Sequence, residues 1–251
     1  MAVVVAGIAE GLVLRLLLGP GPLRLGAGGI LLDLTMLASL ILLYRRRHFG
    51  RRALGLQGAA PARSVGLVFL AVIAVGITNL LWLKGVLGLK QPNSPGITLR
   101  GDTAALAVAG LFMCLCAPVT EEIFFRGFLY RALRNRMTVL PAAVIAGVLF
   151  GLVHGLSYPV DTLPPRMVFG FIACLLYEET GSLLPGIALH CLIDASGFEV
   201  AVTGHNHIVF PAFVLLAIVL LAYAGIRRIR RWTSARYGRS AAAAPETANP
   251  A

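Results

Sequence analysis

The sequence predicts an all-α fold, a polytopic membrane bundle of about eight transmembrane helices around a buried polar site. Of the 251 residues, 58% are hydrophobic and only 13% are charged, which is typical of an integral membrane protein. The apolar residues recur in runs separated by clusters of Arg, Pro and Gly. Because about 20 apolar residues span a bilayer, these runs predict a bundle of membrane helices.

The apolar runs place eight helices along the chain. The first and sixth are short for a complete crossing, so seven crossings are the alternative. The predicted helices are Ala2 to Leu18, Gly29 to Tyr44, Ser64 to Leu83, Thr103 to Arg134, Val139 to Gly155, Arg166 to Glu179, Leu183 to Val200 and Ile208 to Ile226.

Four regions follow from this pattern. Residues 1–100 hold about three N-terminal transmembrane helices and a basic loop at 45–63, and residues 101–200 form a core that carries the polar motifs. Residues 201–239 hold the last transmembrane helix and its basic end. Residues 240–251 are rich in Ala and Pro, which predicts a disordered tail.

The net charge of +11 comes from arginines that cluster between the apolar runs and after the last run. In a membrane protein such clusters mark cytoplasmic loops, and they also attract anionic lipid headgroups. We therefore expect a multi-pass protein of the plasma membrane, with the lipid bilayer as a partner. A nucleic-acid partner is not expected.

Ionisable side chains interrupt the apolar runs in the core. Glu121 and Glu122 fall in the middle of the long fourth segment, and Arg126 lies four residues after Glu122. On a helix Glu122 and Arg126 can pair, whereas Glu121 points about 100° away around the axis. This spacing leaves Glu121 as the free carboxylate. Asp33 and Glu10 face the bundle interior in this interpretation and are assigned no role.

Two further pairs follow at the same spacing of four residues, Phe150 with His154 and His190 with Asp194. From Glu121 the chain runs about 15 residues to a turn and a similar distance back to His154, so two legs of about 22 Å return it to the same depth. His190 and Asp194 share one face of the seventh helix. Two helical hairpins can therefore present Glu121, His154, His190 and Asp194 to one another.

These residue types suit the activation of a water molecule against a carbonyl group. A glutamate can take a proton from water, while imidazoles bind a metal or polarise the carbonyl oxygen. Zinc accepts nitrogen and oxygen ligands, and His154, His190 and Asp194 would complete a set of three protein ligands. The competing interpretation is structural, with a helix-end ion pair at Glu121 and Glu122 and a core histidine at position 154.

In their order along the chain these motifs resemble the CAAX protease and bacteriocin-processing (CPBP) family of intramembrane proteases. The two glutamates with their arginine are followed by Phe150 with His154, and then by His190 with Asp194. The resemblance covers roughly residues 111–196. It implies a helical bundle, usually of eight helices, and an endopeptidase that cleaves a small peptide or a membrane-associated protein.

The resemblance also implies roles for the residues. Glu121 would be the general base, with His154, His190 and Asp194 holding a divalent metal such as zinc or stabilising the oxyanion. Glu122 belongs to the same candidate catalytic set, although its neighbour Arg126 allows a supporting role. Arg126 and Phe150 would be structural.

Two other classes of protein are compatible with the sequence. A catalytically silent membrane scaffold of the same fold would act by binding a partner and would keep its function without Glu121. A transporter would use the buried carboxylates and histidines to carry protons or cations. It would need a continuous polar path to both membrane faces, whereas the motifs cluster at one depth. The sequence therefore favours the protease and leaves the scaffold as the alternative.

Overall fold

A computed structural model of the chain describes residues 22–47, 55–58, 60–88, 103–155, 158–204, 207–209, 211–216, 218–223 and 225–227. Every regular element within these ranges is a helix. The all-α prediction is therefore confirmed for the described part of the chain. The predicted first helix, most of the basic loop and the predicted disordered tail lie outside it.

The described helices follow the predicted runs closely and are numbered here in chain order. They are α1, Pro22–Arg47; α2, Pro61–Leu80, with a π-helical extension Leu81–Val86; α3, the continuous helix 103–134; α4, Val139–His154; α5, Leu163–Thr180, after a 3-10 turn Val160–Thr162; and α6, Leu184–Thr203. The last helix, α7, runs over Pro211–Arg227 and includes a few residues that are not described.

Helix α3 changes its hydrogen-bonding pattern along its length. Two π-helical turns, Phe112–Cys116 and Ile123–Tyr130, flank the α-helical segment Ala117–Glu122. Pro118 lies inside that segment and has no N–H to donate, and π-helical turns are common where such interruptions and functional sites occur. The segment Ala117–Glu122 carries both glutamates of the first motif.

Four helices are long and apolar enough to cross a bilayer, namely Arg63–Val86, Leu106–Arg134, Val160–Thr180 and Leu184–Thr203. Shorter apolar helices are found at Asp33–Leu42, Val139–His154 and Pro211–Arg227. Many large apolar side chains, such as Leu111 and Leu140, point outward, as is required in contact with lipid. The chain is a multi-pass membrane protein, while the count of eight helices stays a prediction.

Hydrogen bonds and ion pairs hold several chain segments together at one end of the bundle. The residues before α2 bind the turn between α5 and α6, since Leu183 N–H donates to the Gly55 carbonyl at 2.9 Å and Gln57 Nε2 donates to the Gly181 carbonyl at 2.9 Å. At the same end Arg134 Nη2 lies 2.9 Å from Glu178 Oε1. The turn after α3 and the loop before α2 therefore share one face of the membrane.

Helices α4 and α5 approach closely because glycines line their contact. A Cβ atom at Gly147 would lie 2.7 Å from both the Met167 carbonyl oxygen and the Phe171 nitrogen, and a Cβ atom at Gly170 would lie 2.8 Å from the Gly147 Cα atom. Such distances are available only to residues without a side chain. This close contact fixes α4, which carries Phe150 and His154, against α5.

We expect Gly147→Val to destabilise the protein by at least about 1–3 kcal/mol, because the new methyl groups would have to push two backbones apart. The measurement is the thermal unfolding midpoint in detergent. Gly76→Val on α2 is the matched control, since nothing lies within 4 Å of a Cβ atom at Gly76. Equal midpoints for the two variants would contradict the proposed role of this contact.

Candidate active site

The structure brings the side chains of the three motifs together in the middle of the bundle. His154 Nε2 and His190 Nε2 each lie 3.8 Å from Glu121 Oε2. His190 Nε2 also lies 3.5 Å from Asp194 Oδ2. Glu121 comes from α3, His154 from the last residue of α4, and His190 and Asp194 from consecutive turns of α6. Three helices therefore supply one polar cluster.

The other ring nitrogen of each histidine is already engaged. His154 Nδ1 lies 2.8 Å from the Phe150 carbonyl oxygen, which can only accept a hydrogen bond, so Nδ1 carries the proton. His190 Nδ1 lies 3.1 Å from Glu122 Oε1 and donates to that carboxylate in the same way. In His154, whose Nδ1 carries the proton, the Nε2 lone pair is directed at the space beside Glu121. The His190 ring is held with its Nε2 atom 3.8 Å from Glu121 Oε2 and 3.5 Å from Asp194 Oδ2.

The Glu121 carboxylate is buried, and its Oε2 atom accepts no hydrogen bond from any described residue. The two Nε2 atoms at 3.8 Å are too distant for direct hydrogen bonds. A buried acceptor without a partner costs about 1–3 kcal/mol, so its retention calls for an explanation. A water molecule or substrate group that donates protons would satisfy this oxygen.

Glu122 and Arg126 form the ion pair that their spacing predicts, with Arg126 Nη1 2.7 Å from Glu122 Oε1. Both side chains are almost completely buried. Arg126 Nη2 also donates to the Gly170 carbonyl oxygen at 3.1 Å. Because the same Glu122 oxygen accepts from His190, the ion pair fixes the orientation of that imidazole ring. Glu122 thus bonds both to His190, which belongs to the polar cluster, and to Arg126.

Aromatic rings enclose the ion pair and the two imidazoles. The Phe150 ring centroid lies 4.6 Å from that of His154 and 5.6 Å from that of His190, and Phe169 lies 4.7 Å from His190. The guanidinium carbon of Arg126 lies 4.7 Å from the Phe150 ring centroid. These contacts exclude water from one side of the cluster and add a cation–π interaction to the buried charge.

A small residue on α6 leaves room for the Glu122 carboxylate. A Cβ atom at Gly186 would lie 2.9 Å from Glu122 Oε2. Gly186 is buried at the start of α6, one turn before His190. The absence of a side chain at this position therefore allows α6 to bring His190 against Glu122.

The cluster is open on the side of Asp194. The Asp194 side chain is 34% exposed, compared with 10% for Glu121 and 5% for His190. Asp194 lies one turn beyond His190, toward the end of α6 that is remote from the turn between α5 and α6. A substrate therefore has its most direct route to Glu121 past Asp194.

The same residues can be compared with the needs of a metal ion. Their chemistry suits a metal ion, since each imidazole has its Nδ1 held by a carboxylate or a carbonyl group and its Nε2 beside Glu121. Their spacing in this structure does not suit a metal ion, because no three His, Cys, Asp or Glu side chains in the described ranges are arranged to hold one.

Two residues near the cluster were not singled out by the sequence. Tyr158 follows α4, with its ring centroid 6.1 Å from that of His154, and burial raises the pKa of its hydroxyl group. The Arg166 guanidinium carbon lies 3.9 Å from the centre of the Tyr158 ring. No spacing rule links these positions to the three motifs, because a loop separates Tyr158 from α5.

Comparisons with known proteins agree with the position of the cluster in the chain. Residues 103–196 match the family described as type II CAAX prenyl endopeptidase Rce1-like. These residues contain Glu121, Glu122, His154, His190 and Asp194.

The chain also resembles a curated protein at low sequence identity. The chain is similar to a Bacillus subtilis (strain 168) protein named "Putative membrane peptidase YdiL", with 26% identity over 139 residues, which is 52% of this chain and 55% of that protein. The chain thus spans about half the length of the curated relative it matches. No solved structure matches the chain. Through its segment 103–196, the chain is similar to the Rce1-like group of CAAX prenyl endopeptidases.

Proposed function

We propose that the protein is an intramembrane endopeptidase in which Glu121 activates a water molecule. The observation that carries this proposal is the buried, unbonded Glu121 Oε2 atom with two histidine Nε2 atoms at 3.8 Å. A water molecule beside Glu121 would donate one hydrogen to the carboxylate and the other to an imidazole lone pair. All three groups are held on packed helices, which favours a fixed geometry for the reaction.

The proposed reaction is a simple hydrolysis. The water oxygen bonds to the carbonyl carbon of the scissile peptide, and its proton passes to Glu121. When the carbon–nitrogen bond breaks, Glu121 returns the proton to the leaving amine. The products are a peptide with a new carboxylic acid group, which loses its proton to water, and a peptide with a new amine, and Glu121 is again ionised.

The remaining residues have supporting parts in this proposal. His154 accepts the second hydrogen of the water at Nε2 and holds the water in line with the carbonyl carbon, while His190 Nε2 borders the same space. Glu122 and Arg126 keep the His190 ring in place, and Phe150 does the same for His154 through its carbonyl oxygen. Asp194 lies at the open side, where it contacts His190 and an incoming substrate.

The proposed substrate is a small peptide or a membrane-associated protein, cleaved at the plasma membrane. Two findings support this class. The cluster lies among helices that face lipid, and the matched family and the Bacillus relative carry peptidase names. The aromatic walls formed by Phe150 and Phe169 favour apolar side chains near the scissile bond.

A divalent metal, with zinc as the first candidate, is a separate proposal with His154, His190 and Asp194 as its ligands. When bound, such an ion would polarise the scissile carbonyl group. No step above depends on it, since the described side chains do not form a three-ligand arrangement.

The test of the proposed function is cleavage of a library of apolar peptides by the purified protein in liposomes, read by mass spectrometry. We expect a restricted set of internal cleavages. A folded protein that cleaves nothing would contradict the protease and favour the scaffold.

The metal proposal is tested by adding a chelator to the cleavage assay. The expected result is loss of cleavage with the chelator and recovery with zinc. Undiminished cleavage after chelation would contradict the metal proposal and leave the proton transfer by Glu121 intact.

A further inference from the structure

A buried carboxylate lies on α1, outside the segment that matches the family. Asp33, Met36 and Ser39 face the interior of the bundle and are 7%, 2% and 7% exposed. Met36 packs in the apolar core, and Ser39 donates a hydrogen bond to the carbonyl of Thr35 at 2.6 Å. Asp33 has no comparable partner, since its buried Oδ1 atom accepts no hydrogen bond from a described residue.

The surroundings of Asp33 connect it with the polar cluster. Helix α1 packs against the segment Ala117–Glu122 of α3, which carries Glu121. The Asp33 carboxyl group is near enough to His190 and Asp194 on α6, and to Glu121, for electrostatic interaction with them. Asp33 therefore adds a fourth helix to the polar cluster.

An unpaired ionisable group inside an apolar bundle is costly, and such groups commonly serve a function. The fold does not use Asp33 for an ion pair with any other described residue. The Oε2 atom of Glu121 is likewise a buried acceptor that bonds to no described residue. A bound ligand would have to supply the hydrogen-bond donors for these two oxygens.

A peptide bound inside the bundle has donors to offer and needs hydrogen-bond acceptors. Away from water, each of its backbone N–H groups requires an acceptor. The surrounding helices offer few, because their carbonyl groups are already bonded within each helix. An unbonded carboxylate beside the cluster meets this need without preference for a particular substrate side chain.

We propose that Asp33 is a substrate-binding residue, whose Oδ1 atom accepts a hydrogen bond from a backbone N–H of the peptide bound on the α1 side of the cluster. The proposal rests on the proposed peptidase function. It assigns Asp33 to binding rather than to proton transfer. The N-terminal helices then supply part of the substrate site in addition to the segment 103–196.

The test compares Asp33→Leu, which keeps the size of the side chain, with Asp33→Asn, which keeps an acceptor oxygen. The probe is the library peptide that the wild-type protein cleaves fastest. We expect Asp33→Leu to raise KM by about tenfold, as for the loss of one hydrogen bond, with little change in kcat. Asp33→Asn should stay near wild type. Ser39→Ala, on the same face of α1, is the matched control and should leave both constants unchanged.

A binding measurement separates this proposal from the peptidase activity. The Kd of the same peptide, labelled with a fluorophore, is measured for protein carrying Glu121→Gln with and without Asp33→Leu, and we expect the same weakening of about tenfold. If Asp33→Leu fails to fold, Asp33→Ala takes its place. Unchanged KM and Kd would overturn the proposal, and so would an equal loss of kcat in the Leu and Asn variants. By contrast, absence of cleavage by wild type would count against the peptidase function alone. The Kd comparison with a library peptide would still test whether Asp33 contributes to peptide binding.

Discussion

Glu121→Gln should lower kcat by at least about 100-fold while the protein still folds and accumulates in the membrane. The amide is nearly the same size as the carboxylate but cannot take a proton from water. Glu121 Oε2 makes no hydrogen bond to a described residue, so the substitution breaks no hydrogen bond at this oxygen. The measurement is single-turnover cleavage of one library peptide, together with the thermal midpoint of each protein.

Glu179→Gln is the control for this substitution. Glu179 pairs with Arg63 at the surface, where the two side chains are 57% and 60% exposed. Exposed pairs contribute about 0–1 kcal/mol, so the control should cleave at the wild-type rate with a similar midpoint. Equal rates for Glu121→Gln and Glu179→Gln would show that the proton passes to another group.

Glu122→Ala should destabilise the protein by about 3–5 kcal/mol, because it leaves the Arg126 charge buried without its partner. Arg126 is 1% exposed and would retain the Gly170 carbonyl oxygen and the surrounding aromatic rings, neither of which carries a negative charge. We expect a strongly lowered thermal midpoint in detergent and poor accumulation in cells. Glu179→Ala, which breaks the exposed pair with Arg63, should change the midpoint little.

A double variant separates the structural from the catalytic effect of this pair. Glu122→Leu with Arg126→Met removes both buried charges, and such replacements are often neutral or stabilising. We expect the midpoint to recover and activity to stay low, since His190 Nδ1 loses its acceptor. A double variant with wild-type activity would show that Glu122 does not position His190.

The sequence predicted the main features of the site because helix geometry links distant positions by simple rules. A spacing of four residues gave the Glu122–Arg126 pair and the common face of His190 and Asp194. Two helical legs of equal length placed His154 at the depth of Glu121. These relations depend on the rise and turn of a helix, which side-chain identity changes little.

Other features depend on contacts between helices, and no spacing rule describes them. The hydrogen bond of Glu122 to His190 requires the close approach of α6 at Gly186, and the contact of α4 with α5 requires Gly147 and Gly170 to meet. Asp33 was seen in the sequence but was given no role, because the residues of the polar cluster lie about 90 residues or more away along the chain. The packing of α1 against α3 brings it to the cluster.

The most direct test of the account is cleavage of one membrane peptide in H₂¹⁸O by purified wild type and by Glu121→Gln, side by side. Wild type should form a product whose new carboxylate carries ¹⁸O, and Glu121→Gln should form it at least about 100-fold more slowly. Cleavage at equal rates by the two folded proteins, or no cleavage by wild type of any library peptide, would contradict the account.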